Sequence, residues 1–177
     1  MALAFAAACT PAGDRMSPAE RASIEQEIHS QVVAAYDLSA PAALDRLLSL
    51  YPDSGAVYSA GGGRFTSSRD SLEAGLRTFW RDVGLNMQQA RWEWTAMHVD
   101  ALSPTAAVMT ATYRVPHRTP TGQAHVIAGA WTAAFVKRDG RWVIVHEHLS
   151  DLPPEIAMAD TTVRAAADTG HSAHVVP

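Results

Sequence analysis

Cysteine is nearly missing from this 177-residue chain, with Cys9 the single one. No internal disulfide can form, and a cysteine-rich zinc site is excluded. Basic residues are outnumbered, 14 Lys and Arg against 18 Asp and Glu, for a formal charge of −4. The arginines, among them Arg64, Arg69, Arg77 and Arg81, are scattered, so the basic face that nucleic-acid binding needs is lacking. Long apolar runs are lacking as well; none reaches the roughly 18 residues of a membrane-spanning helix. There is no internal repeat, and no serine sits in the glycine pattern of a nucleophile elbow. Gly61-Gly62-Gly63 has no lysine–serine pair behind it, which removes the Walker phosphate-loop reading.

What is present is a chain that is 47% hydrophobic and 18% charged, the composition of one globular domain. About 135 residues, 17–153, form a core that buries about two-thirds of its unfolded surface. Residues 1–16 are expected as a lipoprotein signal remnant and linker, and 154–177, alanine-rich and polar after Pro153-Pro154, as a mobile tail. Met1–Ala8 read MALAFAAA, and a turn-prone run follows Cys9. The pair resembles a bacterial lipoprotein cleavage site, where the cysteine carries the lipid, although Ala6 stands where leucine is usual and no basic residue precedes it. That resemblance implies the bacterial cell envelope, with membrane contact only through Cys9. An alanine-rich leader on a cytoplasmic protein is the alternative.

Ser17-Pro18-Ala19-Glu20 is a capping box with proline at the first helical position. The helix behind it places Ile24, Ile28, Val32, Ala35 and Tyr36 on one stripe. Ser39 and Pro41 open a shorter second helix with Leu44, Leu47, Leu48 and Tyr51 inward. A short strand over 56–60 and a flexible triple-glycine turn follow. Ser68 caps a third helix with Leu72, Leu76, Phe79, Trp80 and Val83 on one face. From Gln88 the period changes from 3.6 to 2, giving strands over 90–102, 106–116, 123–137 and 141–149. Asp139-Gly140 is the two-residue signal of the last hairpin. The fold class is α+β, with three N-terminal helices packed on a curved antiparallel sheet.

This order of elements resembles the SnoaL-like branch of the nuclear-transport-factor-2-like superfamily. Residues 135–150, FVKRDGRWVIVHEHLS, are similar to the last hairpin of the calcium/calmodulin-dependent protein kinase II association domain. The resemblance implies a cone with an internal pocket, a homodimer, and a small organic molecule as ligand. It also implies cofactor-free proton-transfer chemistry of the isomerase, cyclase or dehydratase type. A non-catalytic oligomerisation or accessory domain is the alternative function.

Strand alternation divides His146-Glu147-His148. Trp142, Ile144, His146, His148 and Ser150 share one face, and Val143, Val145, Glu147 and Leu149 the other. Carrying over the association domain's register puts Glu147 in the pocket and both histidines outside it. Two histidines on one face do not make a metal site, and none is expected. The three pocket arginines of that domain are replaced here by Tyr113, Ala133 and Leu149. Expected around a mostly apolar pocket are Tyr36, Tyr58, Trp80, Trp131, Ala133, Phe135, Val145 and Leu149. Glu147 would be the acid–base group and Tyr113 the donor to a developing oxyanion; if the faces are inverted, His148 becomes the base. Trp92 and Trp94, with His98 and Asp100, read as sheet face.

Overall fold

The start of the folded chain follows from three residues. The Ser17 hydroxyl accepts the Glu20 amide at 3.2 Å, and the Glu20 carboxylate accepts the Ser17 amide at 2.8 Å, so the expected capping box closes. The computed structural model describes residues 16–154, 156 and 157. Within it run α1 (Pro18–Ala35), α2 (Ala43–Leu48), β1 (Tyr58–Gly61), β2 (Arg64–Thr66) and α3 (Arg69–Asp82). A 3-10 turn (Gly84–Asn86) leads to β3 (Glu93–Ser103), β4 (Ala106–Arg118), β5 (Ala124–Arg138) and β6 (Arg141–Asp151). Cys9 and most of the tail lie outside the described residues, and the expectations for them with it. No helix among the described residues is long and apolar enough to cross a membrane.

The helices and the sheet make the expected α+β architecture, a curved, unclosed six-stranded sheet in the order β2-β1-β6-β5-β4-β3. It is mixed: β3 to β6 form an antiparallel meander, and β1 joins the β6 edge in parallel. The triple glycine is a tight hairpin rather than a flexible turn. Gly62 and Gly63, at φ +53° and +72°, reverse the chain between β1 and a short β2 that the sequence pattern did not disclose. The second helix starts later than expected. Asp37 accepts the Ser39 amide at 3.0 Å, which holds residues 37–39 in a turn, and Ala42 at φ +54° precedes the first helical residue.

Ile28 and Val32 of α1 are fully buried against the sheet's concave face, in a core shared with Met109, Trp131, Phe135 and Ile144. Polar bonds fix how α1 lies there. Gln31 donates to the Trp142 carbonyl at 2.9 Å, the Trp142 indole donates to Glu27 at 3.1 Å, and Arg21 donates to the Ala101 carbonyl. The helix therefore cannot slide without breaking bonds to both β6 and the edge strand β3.

One irregularity corrects the expected faces of the last strand. Ala134 pairs with His146 but Phe135 pairs with Ile144, so Val145 is an extra residue in a bulge. Before the bulge, Trp142 and Ile144 face inward and are buried; after it, Glu147 and Leu149 face inward while His146 and His148 are exposed outside. The amide of Ile144 donates to the Leu50 carbonyl at 2.8 Å, tying the strand to the α2 exit at the point where its pairing with β1 has not yet begun. Simple period-2 counting put Trp142 and Ile144 beside the histidines, and the bulge is why they are not.

Candidate functional site

Helices α2 and α3, with Tyr36 and Leu38 just past the end of α1, enclose a cavity of about 570 Å³ over the sheet. Its floor and walls are apolar. Leu38, Leu44, Leu47, Leu76, Phe79 and Trp80 come from the helical side, and Met87, Trp92, Val115, Ile127 and Leu149 from the sheet side. Polar side chains are few among the lining residues: Tyr36, Tyr113, Asp151 and Arg64. An apolar chamber with a few convergent polar groups is the usual build of a small-molecule site.

One wall is a cluster of stacked rings. Tyr36 lies 4.2 Å from Trp92 and 5.4 Å from Trp131 between ring centres; Trp92 stacks on Tyr113 at 4.6 Å, and Trp94 on Trp131 at 6.1 Å. Contacts of this kind add about 0.5–1.5 kcal/mol each beyond area burial, so the wall is stiff. The Trp92 indole N–H is buried there and has no acceptor among the described residues. Such a donor costs about 1–3 kcal/mol while it stays unmet.

Glu147 points to the concave side, as expected, but it lies beneath the cavity rather than in its wall. Its side chain is 3% exposed and accepts three donors: Ser59 at 2.7 Å, Tyr51 at 2.9 Å and the Trp131 indole at 3.0 Å. Burial pushes its carboxyl above the usual carboxylate range, opposed by those three hydrogen bonds and by His146 nearby. The hydroxyls of Tyr51 and Tyr36 are held well above their ordinary value, first by burial and then by the Glu147 charge. Glu147 thus ties β6 to β5, to β1 and to the α2 exit.

The carboxylate that does reach the cavity is Asp151. Ladder register sets Tyr113, Gly129 and Asp151 in one row across β4, β5 and β6. The Tyr113 hydroxyl donates to Asp151 along that row, a long bond of 3.4 Å. Gly129 makes the row passable, since a Cβ there would stand 2.9 Å from the Tyr113 hydroxyl and 2.2 Å from the Ser150 carbonyl oxygen. Burial, the Asp151 charge and that hydrogen bond push the Tyr113 phenol up to about 12. At neutral pH it is a proton donor. A smaller space of about 200 Å³ behind the row shares Tyr113 and Asp151 with the main cavity.

Of the pocket residues expected from the sequence, Tyr36, Trp80, Tyr113 and Leu149 line the cavity. Trp131, Ala133 and Phe135 are buried in the core behind it. Two expectations are corrected. Val145 sits in the β6 bulge, away from the cavity, and Tyr58 is on the outer face, 43% exposed and stacked on Phe65 at 6.2 Å next to His146. His148, exposed on that same outer face, does not reach the cavity. Among the described residues no three His, Cys, Asp or Glu side chains gather where they could hold a metal ion.

Three of the lining residues that escaped the sequence reading carry polar groups. Asp151 lay two residues past the expected strand end, though with the parity of Glu147 and Leu149. Trp92 was read as sheet face; a bulge at Thr95 switches the inward parity between Trp94 and Val99, so counting along the strand could not find it. Arg64 belongs to the strand hidden by the triple glycine.

The geometry agrees with known folds. Among solved structures, a Novosphingobium aromaticivorans protein described as a scytalone dehydratase superposes with a TM-score of 0.59 at 16% identity, over 72% of this chain and 83% of its own. A ketosteroid isomerase-like protein from Erwinia carotovora atroseptica gives 0.56 at 17%, over 73% and 96%. A Xanthomonas campestris protein described as a calcium/calmodulin dependent protein kinase II association domain gives 0.53 at 19%, over 79% and 94%. At these identities the likeness is one of fold. No curated protein matches the chain. The profile of the SnoaL-like domain matches residues 28–155, which span α1 from Ile28 through all six strands. This chain belongs to the SnoaL-like domain family.

Proposed function

We propose that the protein binds a small, flat, mostly apolar organic molecule in the cavity and moves a proton on it without a cofactor. The observation that carries this reading is the Tyr113–Asp151 pair, a phenol and a carboxylate in contact at the wall of an otherwise apolar chamber of about 570 Å³. Asp151 is the base and takes a proton from carbon next to a carbonyl. Tyr113, a neutral donor at working pH, stabilises the oxyanion that develops as the proton leaves. A ligand acceptor would also meet the orphan indole N–H of Trp92. This assignment moves the acid–base role from Glu147, whose three donors anchor it below the chamber, to Asp151. The dehydratase and isomerase descriptions of two structural neighbours support the reaction class by analogy alone.

The test uses 2-tetralone, a flat ketone with acidic α-protons, in deuterated buffer followed by proton NMR. Wild-type protein is expected to speed α-proton exchange over buffer, Asp151→Asn to lose that gain, and Tyr113→Phe to lose most of it. Exchange equal in wild type and Asp151→Asn would overturn the assignment.

A second reading has its own observation. Tyr58 and Phe65, 43% and 65% exposed, form an aromatic patch on the β1–β2 hairpin beside His146. That patch favours a homodimer or accessory assembly. Native mass spectrometry would detect the oligomer, and Phe65→Ala with Tyr58→Ala should dissociate it; a monomeric wild type ends this reading.

A further inference from the structure

The cavity holds two charged side chains among its described lining residues, Asp151 and Arg64. Their situations differ. Asp151 is engaged by the Tyr113 hydroxyl. Arg64, in β2, has no acidic or carbonyl partner for its guanidinium among the described residues. The other arginines near this side of the molecule are paired: Arg69 and Arg77 with Glu73, Arg81 with Asp82, and Arg91 with Glu93. Arg118 donates to the Gly122 carbonyl at 2.8 Å. Arg64, exposed to solvent, is the lining cation with no such partner among the described residues.

Its placement is built by the backbone. Gly61 and Gly62 also line the cavity, and the Gly62-Gly63 turn folds β2 back so that Arg64 pairs with Gly61, which in turn pairs with Leu149 of β6. Arg64, Gly61 and Leu149 therefore make a row across three strands, ending at an apolar residue of the cavity wall. A Cβ at Gly61 would stand 3.4 Å from Leu149, so a larger residue there would crowd the junction between hairpin and wall. The row ends the apolar surface with a planar, permanently charged group bearing five N–H donors, the group best matched to a carboxylate. On the same wall, Asp151 lies two residues beyond Leu149, with no ion pair to Arg64.

We propose that Arg64 is a specificity residue and that the ligand is an amphipathic organic acid, its apolar body in the cavity and its carboxylate on the Arg64 guanidinium. This rests on the cavity-binding reading above and deepens it by naming the ligand class. The anionic end stays at the hairpin and the uncharged end lies toward Tyr113 and Asp151. That orientation keeps the two carboxylates apart.

The experiment compares 2-naphthoate with its uncharged counterpart 2-naphthamide, similar in shape, by quenching of intrinsic tryptophan fluorescence. Wild type and Arg64→Gln are titrated at low and at physiological salt. Wild type is expected to bind the acid about three- to tenfold more tightly than the amide, with the preference shrinking as salt rises. Arg64→Gln should lose the preference and bind acid and amide alike. Equal binding of acid and amide by wild type, or a preference that survives Arg64→Gln, overturns the ligand class and leaves the cavity reading standing. Failure of wild type to bind either compound overturns both. Gly61→Val, which crowds the hairpin–wall junction while keeping the charge, should weaken acid binding as well; undiminished acid binding in that variant counts against the row as the seat of the carboxylate.

Discussion

Replacing Glu147 separates an anchoring carboxylate from a catalytic one. Glu147→Leu removes the acceptor for Tyr51, Ser59 and the Trp131 indole together. Tyr51 and Trp131 are 3% and 1% exposed, so their donors have no route to water, while the partly buried Ser59 hydroxyl can turn outward. Two orphaned buried donors cost about 2–6 kcal/mol, and the leucine recovers about 1–2 kcal/mol through apolar burial. At the middle of those ranges the expected net loss is about 2.5 kcal/mol. Glu147→Gln keeps an acceptor for Tyr51 and Trp131 and lets the amide donate to Ser59, so its loss should stay within about 1 kcal/mol. Urea denaturation at pH 7 reads both. A leucine variant as stable as the glutamine variant would refute the three-donor account.

The same pair carries a signed pH dependence. Because the folded carboxyl is raised above 4.5, its contribution to stability is full below that value. It is lost as pH rises through the folded pKa, with a limiting slope of about 1.4 kcal/mol per pH unit. Carboxylates elsewhere shift the opposite way; Glu73 and Asp82 are held low by their arginine partners. The quantity to follow is therefore wild-type stability minus that of Glu147→Gln, in which the others cancel. It should fall from pH 4 upward, and a difference that rises with pH would mean the hydrogen bonds outweigh burial.

Gly129→Ala puts a methyl 2.2 Å from the Ser150 carbonyl oxygen, a contact that must move backbone. It should cost over about 2 kcal/mol in urea denaturation and separate Tyr113 from Asp151, read as a fall of the Tyr113 phenol from about 12 in an ultraviolet titration. Gly84→Ala places its methyl 2.7 Å from the Trp80 ring, which lines the cavity. Displacement of Trp80 should weaken 2-naphthamide binding several-fold, and unchanged binding would show that Trp80 yields freely. Ser17→Ala deletes the capping box and should cost about 1 kcal/mol, in the same urea experiment.

Sequence alone determined the elements whose signals are local. Ser17 and Ser68 cap the helices they were expected to cap because the cap bond spans three residues. Asp139-Gly140 turns the last hairpin through two positive φ angles that local chemistry favours. The family resemblance implied Tyr113 and Leu149 at the cavity, and its register carries over because the ladder between those positions of β4, β5 and β6 is regular. Tertiary structure decided the rest. The bulge at Val145 reversed parity within one strand, because Ile144 found its acceptor at Leu50, 94 positions earlier in sequence. Asp151 entered the site because pairing with β5 carried β6 past its apolar run, and Arg64 because the Gly62-Gly63 hairpin laid β2 beside β1, which itself pairs with the distant β6. Glu147 became an anchor because Tyr51, Ser59 and Trp131 arrive from three different elements, a convergence that no spacing in the sequence encodes.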